Sequence, residues 1–181
     1  EGVSDAIGLT LGVFHGCAWT AQGRRFCWGL NSFGQLGTGI GAALTIREPR
    51  KVEDQENITQ ISAGASHFCS LDQQGAARCW GANGYGQLGD GTTLASNRPQ
   101  LVSSLGAVRQ ITAGRDFSCA VLMDGTGKCW GFNRNGQLGI DSGEDQISPT
   151  AIQGPAMQVI RAGDDFACGL DPAGAVYCWG Y

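Results

Sequence analysis

The sequence predicts an all-β fold: a β-propeller built of four-stranded antiparallel blades, here about three and a half repeats forming a partial or half propeller. Three observations predict it. Trp28, Trp80, Trp130 and Trp179 each follow a cysteine directly and lie 52, 50 and 49 residues apart, the period of a multi-stranded blade. Each unit keeps a glycine five residues before its first cysteine (Gly12, Gly64, Gly114, Gly163) and another six residues after it (Gly23, Gly75, Gly125, Gly174). No stretch between turn signals has the length or the 3.6-residue period of a sizeable helix. The repeats span approximately 3–52, 53–102, 103–152 and 153–181, the last incomplete.

Each unit reads as four short strands. The first ends at the early glycine, as in Ile58 to Gly64 or Val108 to Gly114. The second and third flank a tight turn. The fourth is assigned to the Gly-Gln-Leu-Gly segment at 34–37, 86–89 and 136–139, which the last unit lacks. The linkers 38–57, 90–107 and 140–156 are the variable parts and the only room for a short helical turn.

The turn sets the register. In unit four it is Asp171-Pro172-Ala173-Gly174-Ala175. Proline presets φ and glycine takes the left-handed position, as a three-residue hairpin loop with a glycine bulge requires. Asp171 then faces Ala175, and Cys168 faces Cys178 on a non-hydrogen-bonded pair, with Cα atoms about 4.5 Å apart. That separation accepts a disulfide. The same arithmetic predicts Cys17–Cys27, Cys69–Cys79, Cys119–Cys129 and Cys168–Cys178. Cysteines ten apart do not match the short knuckles of structural zinc. The tryptophans alternate with the cysteines along the third strand, so they face the other way and serve as anchors between adjacent sheets.

The phrase I-x-A-G-x-x-x-x-C-x-L-x-x-x-G-x-x-x-C-W-G-x-N-x-x-G-Q-L-G resembles the regulator-of-chromosome-condensation repeat. Unit two carries it nearly whole, from Ile61 to Gly89; His15 and His67 match the family's usual histidine, and Phe117 and Phe166 replace it. The paired cysteines are similar to those of disulfide-bearing bacterial and extracellular members. The resemblance implies a seven-bladed ring, of which this chain would be a fragment, or a half completed by another chain. It also implies binding: in this family the corresponding face binds small GTPases in one branch and inhibits β-lactamases in another.

Composition narrows the function. A net charge of −4 offers no basic field for nucleic acid. No apolar run reaches the ~20 residues of a membrane-spanning helix, so no membrane insertion is expected. Glu1 in place of an initiator Met suggests a processed or excised product. Eight cysteines in a small, loop-rich chain favour an oxidising compartment, hence a secreted or cell-surface setting, extracellular or periplasmic. Asn57-Ile58-Thr59 is a glycosylation sequon.

Strand direction sorts the loops onto two faces. The loops before the second strand and after the third share one face, where residues vary between units over a fixed framework. Phe14, Phe33, Tyr85, Arg115, Asp116, Phe132, Arg134, Asn135, Asp164 and Asp165 are the candidate contacts for a protein partner, since aromatics and arginine anchor interfaces. No catalytic residue, metal ligand or cofactor is assigned. His15 and His67 occupy one repeat slot and read as structural. Asp141, Glu144 and Asp145 lack the ordered spacing of a calcium loop. The expected function is therefore a non-catalytic protein-binding scaffold. Exchange-factor-like binding of a small GTPase is the alternative, and a secreted hydrolase or lyase the second.

Overall fold

The computed structural model describes residues 2–41, 45–52 and 57–181. Among these residues strands are the only regular elements. The first sheet runs β1 (Ala6–Leu11), β2 (His15–Thr20), β3 (Arg25–Leu30), β4 (Thr45–Val52). The second runs β5 (Ile58–Ala63), β6 (His67–Asp72), β7 (Ala77–Gly81), β8 (Ser96–Leu101). The third runs β9 (Val108–Ala113), β10 (Phe117–Leu122), β11 (Gly127–Gly131), β12 (Gln146–Ala151), and the fourth has three strands, β13 (Val159–Ala162), β14 (Phe166–Leu170) and β15 (Val176–Gly180). Every neighbouring pair is antiparallel. These are propeller blades, packed in chain order through their first strands.

The hairpin register follows the turn chemistry. Gly23, Gly75, Gly125 and Gly174 have φ of 73°, 79°, 89° and 89°, the left-handed region that costs glycine least. The turns close through Thr20 N–H to Arg24 O, Asp72 N–H to Ala76 O, Leu122 N–H to Thr126 O and Asp171 N–H to Ala175 O. Cys17 then faces Cys27, Cys69 faces Cys79, Cys119 faces Cys129 and Cys168 faces Cys178. All four pairs are disulfides with Cα atoms 4.1 Å apart, as a non-hydrogen-bonded pair brings them.

The fourth strand is elsewhere than the sequence reading placed it. Gly-Gln-Leu-Gly is a compact turn, with Gly34, Gly37, Gly86, Gly89, Gly136 and Gly139 all at φ between 65° and 82°. A left-handed glycine at each end of a four-residue segment turns the chain rather than extending it. The outer strand comes instead from the linkers, as β4, β8 and β12, and no helical turn forms among their described residues; 42–44 and 53–56 of the first linker lie outside these. A signal for this was present: Pro49, Pro99 and Pro149 recur every fifty residues. Each sits where the ladder to β3, β7 or β11 breaks register, a place where a missing N–H costs no bond.

Gly-Gln-Leu-Gly is the latch between blades. Leu36, Leu88 and Leu138 are fully buried in the cores they share with the next blade. The carbonyls of Gln35, Gln87 and Gln137 accept the indole N–H of the next blade's Trp80, Trp130 and Trp179 at 2.8, 3.0 and 2.9 Å. The closing glycine lies flat on that indole: a Cβ on Gly89 would stand 2.6 Å from Trp130 Nε1. Each junction thus seals a disulfide from one blade against a tryptophan of the next.

The inner strands add a second clasp. Thr10 Oγ1, Ser62 Oγ and Thr112 Oγ1 accept the backbone N–H of Ala63, Ala113 and Ala162 one blade on. Gln60 and Gln110 Oε1 do the same for Ile111 and Ile160. These bonds satisfy inner-strand donors that blade packing removes from water.

Candidate functional site

The candidate face is assembled by two loops per blade. Leu30 N–H donates to Phe14 O, Ala82 to Ser66 O, Phe132 to Asp116 O and Tyr181 to Asp165 O, at 2.8 to 3.0 Å. The loop after each third strand is therefore fastened to the loop before the second. Between blades, Ala65 N–H donates to Arg115 O and Arg115 N–H to Asp164 O. Gly12, Gly64, Gly114 and Gly163 permit this crowding, because a Cβ there would lie 2.1 to 2.5 Å from the ring of His15, His67, Phe117 or Phe166. They line a shallow axial cavity of about 280 Å³ with Ala63, Ala113 and Ala162.

One motif presents the outermost residues. Asn31, Asn83 and Asn133 accept the N–H of Leu36, Leu88 and Leu138 through Oδ1 at 2.9 to 3.0 Å. Gln35, Gln87 and Gln137 accept the N–H of Phe33, Tyr85 and Asn135 through Oε1 at 2.9 to 3.0 Å. The loop is thus held rigid from below while residue 33, 85 or 135 projects above it.

The structure brings part of the predicted set together. Tyr85 and Phe132, from neighbouring blades, meet edge to face with ring centroids 4.8 Å apart, and Tyr85 remains 40% exposed. Phe33 and Phe14 stand apart from that pair, each without a ring partner among the described residues, at 49% and 71% exposure. Arg134 and Asn135 are exposed.

The charged members form a second group. Arg115 Nε lies 4.0 Å from Asp116 Oδ2, and Gln87 Nε2 donates to Asp116 Oδ1 at 3.4 Å. Burial raises the Asp116 pKa; Arg115 opposes this, and the nearby charges of Asp165 and Asp164 add to it. Asp116 thus carries one close cation, Arg115, and the repulsion of two carboxylates from the next blade.

His15 and His67 lie beneath the face, buried. Burial draws His15 down to about 4. Burial and then the His15 charge draw His67 down to about 3. His67 Nε2 meets Ser118 Oγ at 2.9 Å, and His15 stands edge-on to Phe68. Both fill the packing slot that Phe117 and Phe166 fill in the later blades. Asp145 Oδ1 accepts the Asn133 N–H and Asp141 Oδ2 accepts Gln153 Nε2, so these acidic residues hold their own loop.

Sequence reasoning missed the residues that position the face. Thr10, Ser62, Thr112, Gln60 and Gln110 carry the inner clasp. Their spacing of about one repeat was the available signal.

Comparisons with known proteins place these observations in a family. The regulator of chromosome condensation (RCC1) repeat model matches residues 22–71, 74–121 and 129–170. The human probable E3 ubiquitin-protein ligase HERC3 is 40% identical over 83 residues, which is 45% of this chain and 8% of that protein. The Arabidopsis thaliana ultraviolet-B receptor UVR8 is 35% identical over 86 residues, 47% of this chain and 20% of that one. The matched stretch is thus a small part of either relative. Among solved structures, human WBSCR16 superposes with a TM-score of 0.88 at 23% identity, over 99% of this chain and 50% of that one. Prp20p of Saccharomyces cerevisiae, described with its binding to Gsp1p and histones, gives 0.83 at 24% identity, over 93% and 44%. The chain spans about half the length of both. With the repeat model covering most of the sequence and the blades superposing on such propellers, the chain belongs to the regulator of chromosome condensation repeat family.

Proposed function

We propose that this chain is a non-catalytic protein-binding scaffold whose loop face is the contact surface. The observation that carries the reading is the Tyr85–Phe132 pair, with Tyr85 exposed and Phe132 half-buried, on loops that Gln87, Asn83 and Asn133 hold from below. Rigid aromatic anchors bury much area at little entropic cost. Arg115, Arg134, Asp116, Asp164 and Asp165 supply charge around them, which sets orientation and partner choice more than affinity. Phe14 and Phe33 extend the surface over the first blade.

The setting proposed for it is secreted or cell-surface, because eight cysteines are paired as four disulfides and such bonds persist in oxidising compartments. Binding of a small GTPase is the second reading, supported by likeness of fold to Prp20p, whose described partners are Gsp1p and histones. A hydrolase reading has no comparable support, since His15 and His67 are buried packing residues. The ligase name of HERC3 belongs to a protein of which 8% is matched.

The test compares the wild-type chain with Tyr85→Ala/Phe132→Ala and with Met123→Ala on the opposite, turn face. Each is titrated against an extracellular protein fraction and against a nucleotide-free small GTPase. Saturable binding lost only in the double variant supports the loop face, and the arm that binds identifies the partner class. Binding that survives the double variant, or none in either arm, overturns the reading.

A further inference from the structure

Asn57 sits between two hairpin tips. A Cβ on Gly23, at the tip of the first blade's hairpin, would stand 2.3 Å from the Asn57 backbone nitrogen. Gln73, at the tip of the second, donates its N–H to Asn57 O at 3.0 Å. The residue is therefore on the turn face, opposite the loops that carry Tyr85 and Phe132. Its φ is 61°, in the left-handed region that asparagine and aspartate tolerate best after glycine. Asn57 and Thr59 are both exposed. Among the described residues the Asn57 backbone carbonyl is hydrogen-bonded and its carboxamide is not.

The other repeats separate what this turn needs from what it does not. Seven residues before Gly12, Gly114 and Gly163 stand Asp5, Ala107 and Ala156, and five before them stand Ile7, Arg109 and Gln158. Asp5 shares the φ of 61°, so backbone conformation accounts for an asparagine or aspartate in this seat. It does not call for a hydroxyl two residues on. Thr59 supplies one, and its Oγ1 donates to Leu71 O at 3.1 Å. The second repeat alone joins an open carboxamide to the hydroxyl that completes Asn57-Ile58-Thr59.

We propose that Asn57 is an N-glycosylation site whose glycan covers the turn face between the first two blades and leaves the loop face clear. The proposal rests on the secreted setting proposed above, in a host whose compartment supplies an oligosaccharide on a lipid pyrophosphate. Transfer forms a bond from Asn57 Nδ2 to the anomeric carbon and breaks that carbon's bond to the pyrophosphate oxygen. The lipid pyrophosphate leaves with the electron pair, Nδ2 gives up one proton, and nothing is oxidised or reduced. The folded chain must then carry a bulky hydrophilic group at residue 57 without loss of packing. This seat allows it, because Ala107 and Ala156 fill it in later blades with a methyl group alone.

The test translates the 181-residue chain behind a cleavable secretion leader into microsomes from a eukaryotic cell, and reads the protease-protected product by unreduced mass. The wild type should gain one glycan that peptide N-glycosidase removes. Asn57→Asp, which keeps the turn, and Thr59→Val should lose it completely, and Thr59→Ser should retain it. Protected chains that hold all four disulfides but carry no glycan overturn the proposal and leave the secreted setting and the loop face standing. A glycan confined to chains with free thiols also overturns it, because the fold then excludes the sugar. A glycan that persists in Asn57→Asp assigns the modification elsewhere and overturns the site.

Discussion

His15 and His67 show how a single slot can carry a pH response. Both are held neutral: burial draws them to about 4 and about 3 from the ordinary 6.5. Their folded values lie below their unfolded value, so the unfolded chain takes up protons first as the pH drops. The stability they contribute is whole above about pH 6.5 and is lost progressively down through about pH 4 and 3. The later blades carry Phe117 and Phe166 in this slot, which suggests the control. Replacing His15→Phe and His67→Phe together should flatten the fall in urea midpoint between pH 7 and pH 4 relative to wild type. Titrating carboxylates affect both chains alike, so the difference isolates the histidines. An equal fall in the two would refute the assignment.

At the scale of the element, the latch and the hairpin turn use glycine for different reasons. Gly174 has φ 89° with nothing near a Cβ, so Gly174→Ala meets only backbone strain, about 1 kcal/mol. Gly89 has φ 67° and lies against Trp130, so Gly89→Ala adds a clash and should cost about 2–4 kcal/mol. Denaturant titration of the two variants separates the terms. Trp130→Phe keeps an aromatic ring but removes one of the two donors to the Gln87 carbonyl, leaving Ser118 Oγ; a loss of about 1–3 kcal/mol from the missing bond and the smaller ring is expected from the same measurement. The hairpins give a further test. Cys27, Cys79 and Cys129 are completely buried, while Cys178 is exposed. Timed alkylation under a mild reductant should label Cys168 and Cys178 well before the other six cysteines. Thiols already free in the untreated protein would remove both the disulfides and the oxidising setting inferred from them.

Across the whole molecule, the period of the sequence made the architecture legible. Fixed offsets of cysteine, tryptophan and glycine gave four hairpins in register, and local turn chemistry was enough because glycine's left-handed φ and the two-residue alternation of a strand act over a few residues. The outer strand was not legible in the same way. Gly-Gln-Leu-Gly looked like an element because it recurs, yet recurrence marks a need without saying whether that need is a strand or a latch. Only the next blade, with Trp80, Trp130 or Trp179 reaching back for a carbonyl, shows which it is. The candidate face divides likewise. Strand direction put Phe14, Tyr85, Phe132 and Arg115 on one side, but the meeting of Tyr85 with Phe132 and the isolation of Phe14 depend on how neighbouring blades are set. Leu9 is 60% exposed while its equivalents Ile61, Ile111 and Ile160 are at most 4% exposed. By itself the sequence determined the blade, its staples and its turns, because those are local and periodic. The tertiary structure decided which repeated residues are buried and which are latches, because identical residues acquire their environment only from the blade packed beside them.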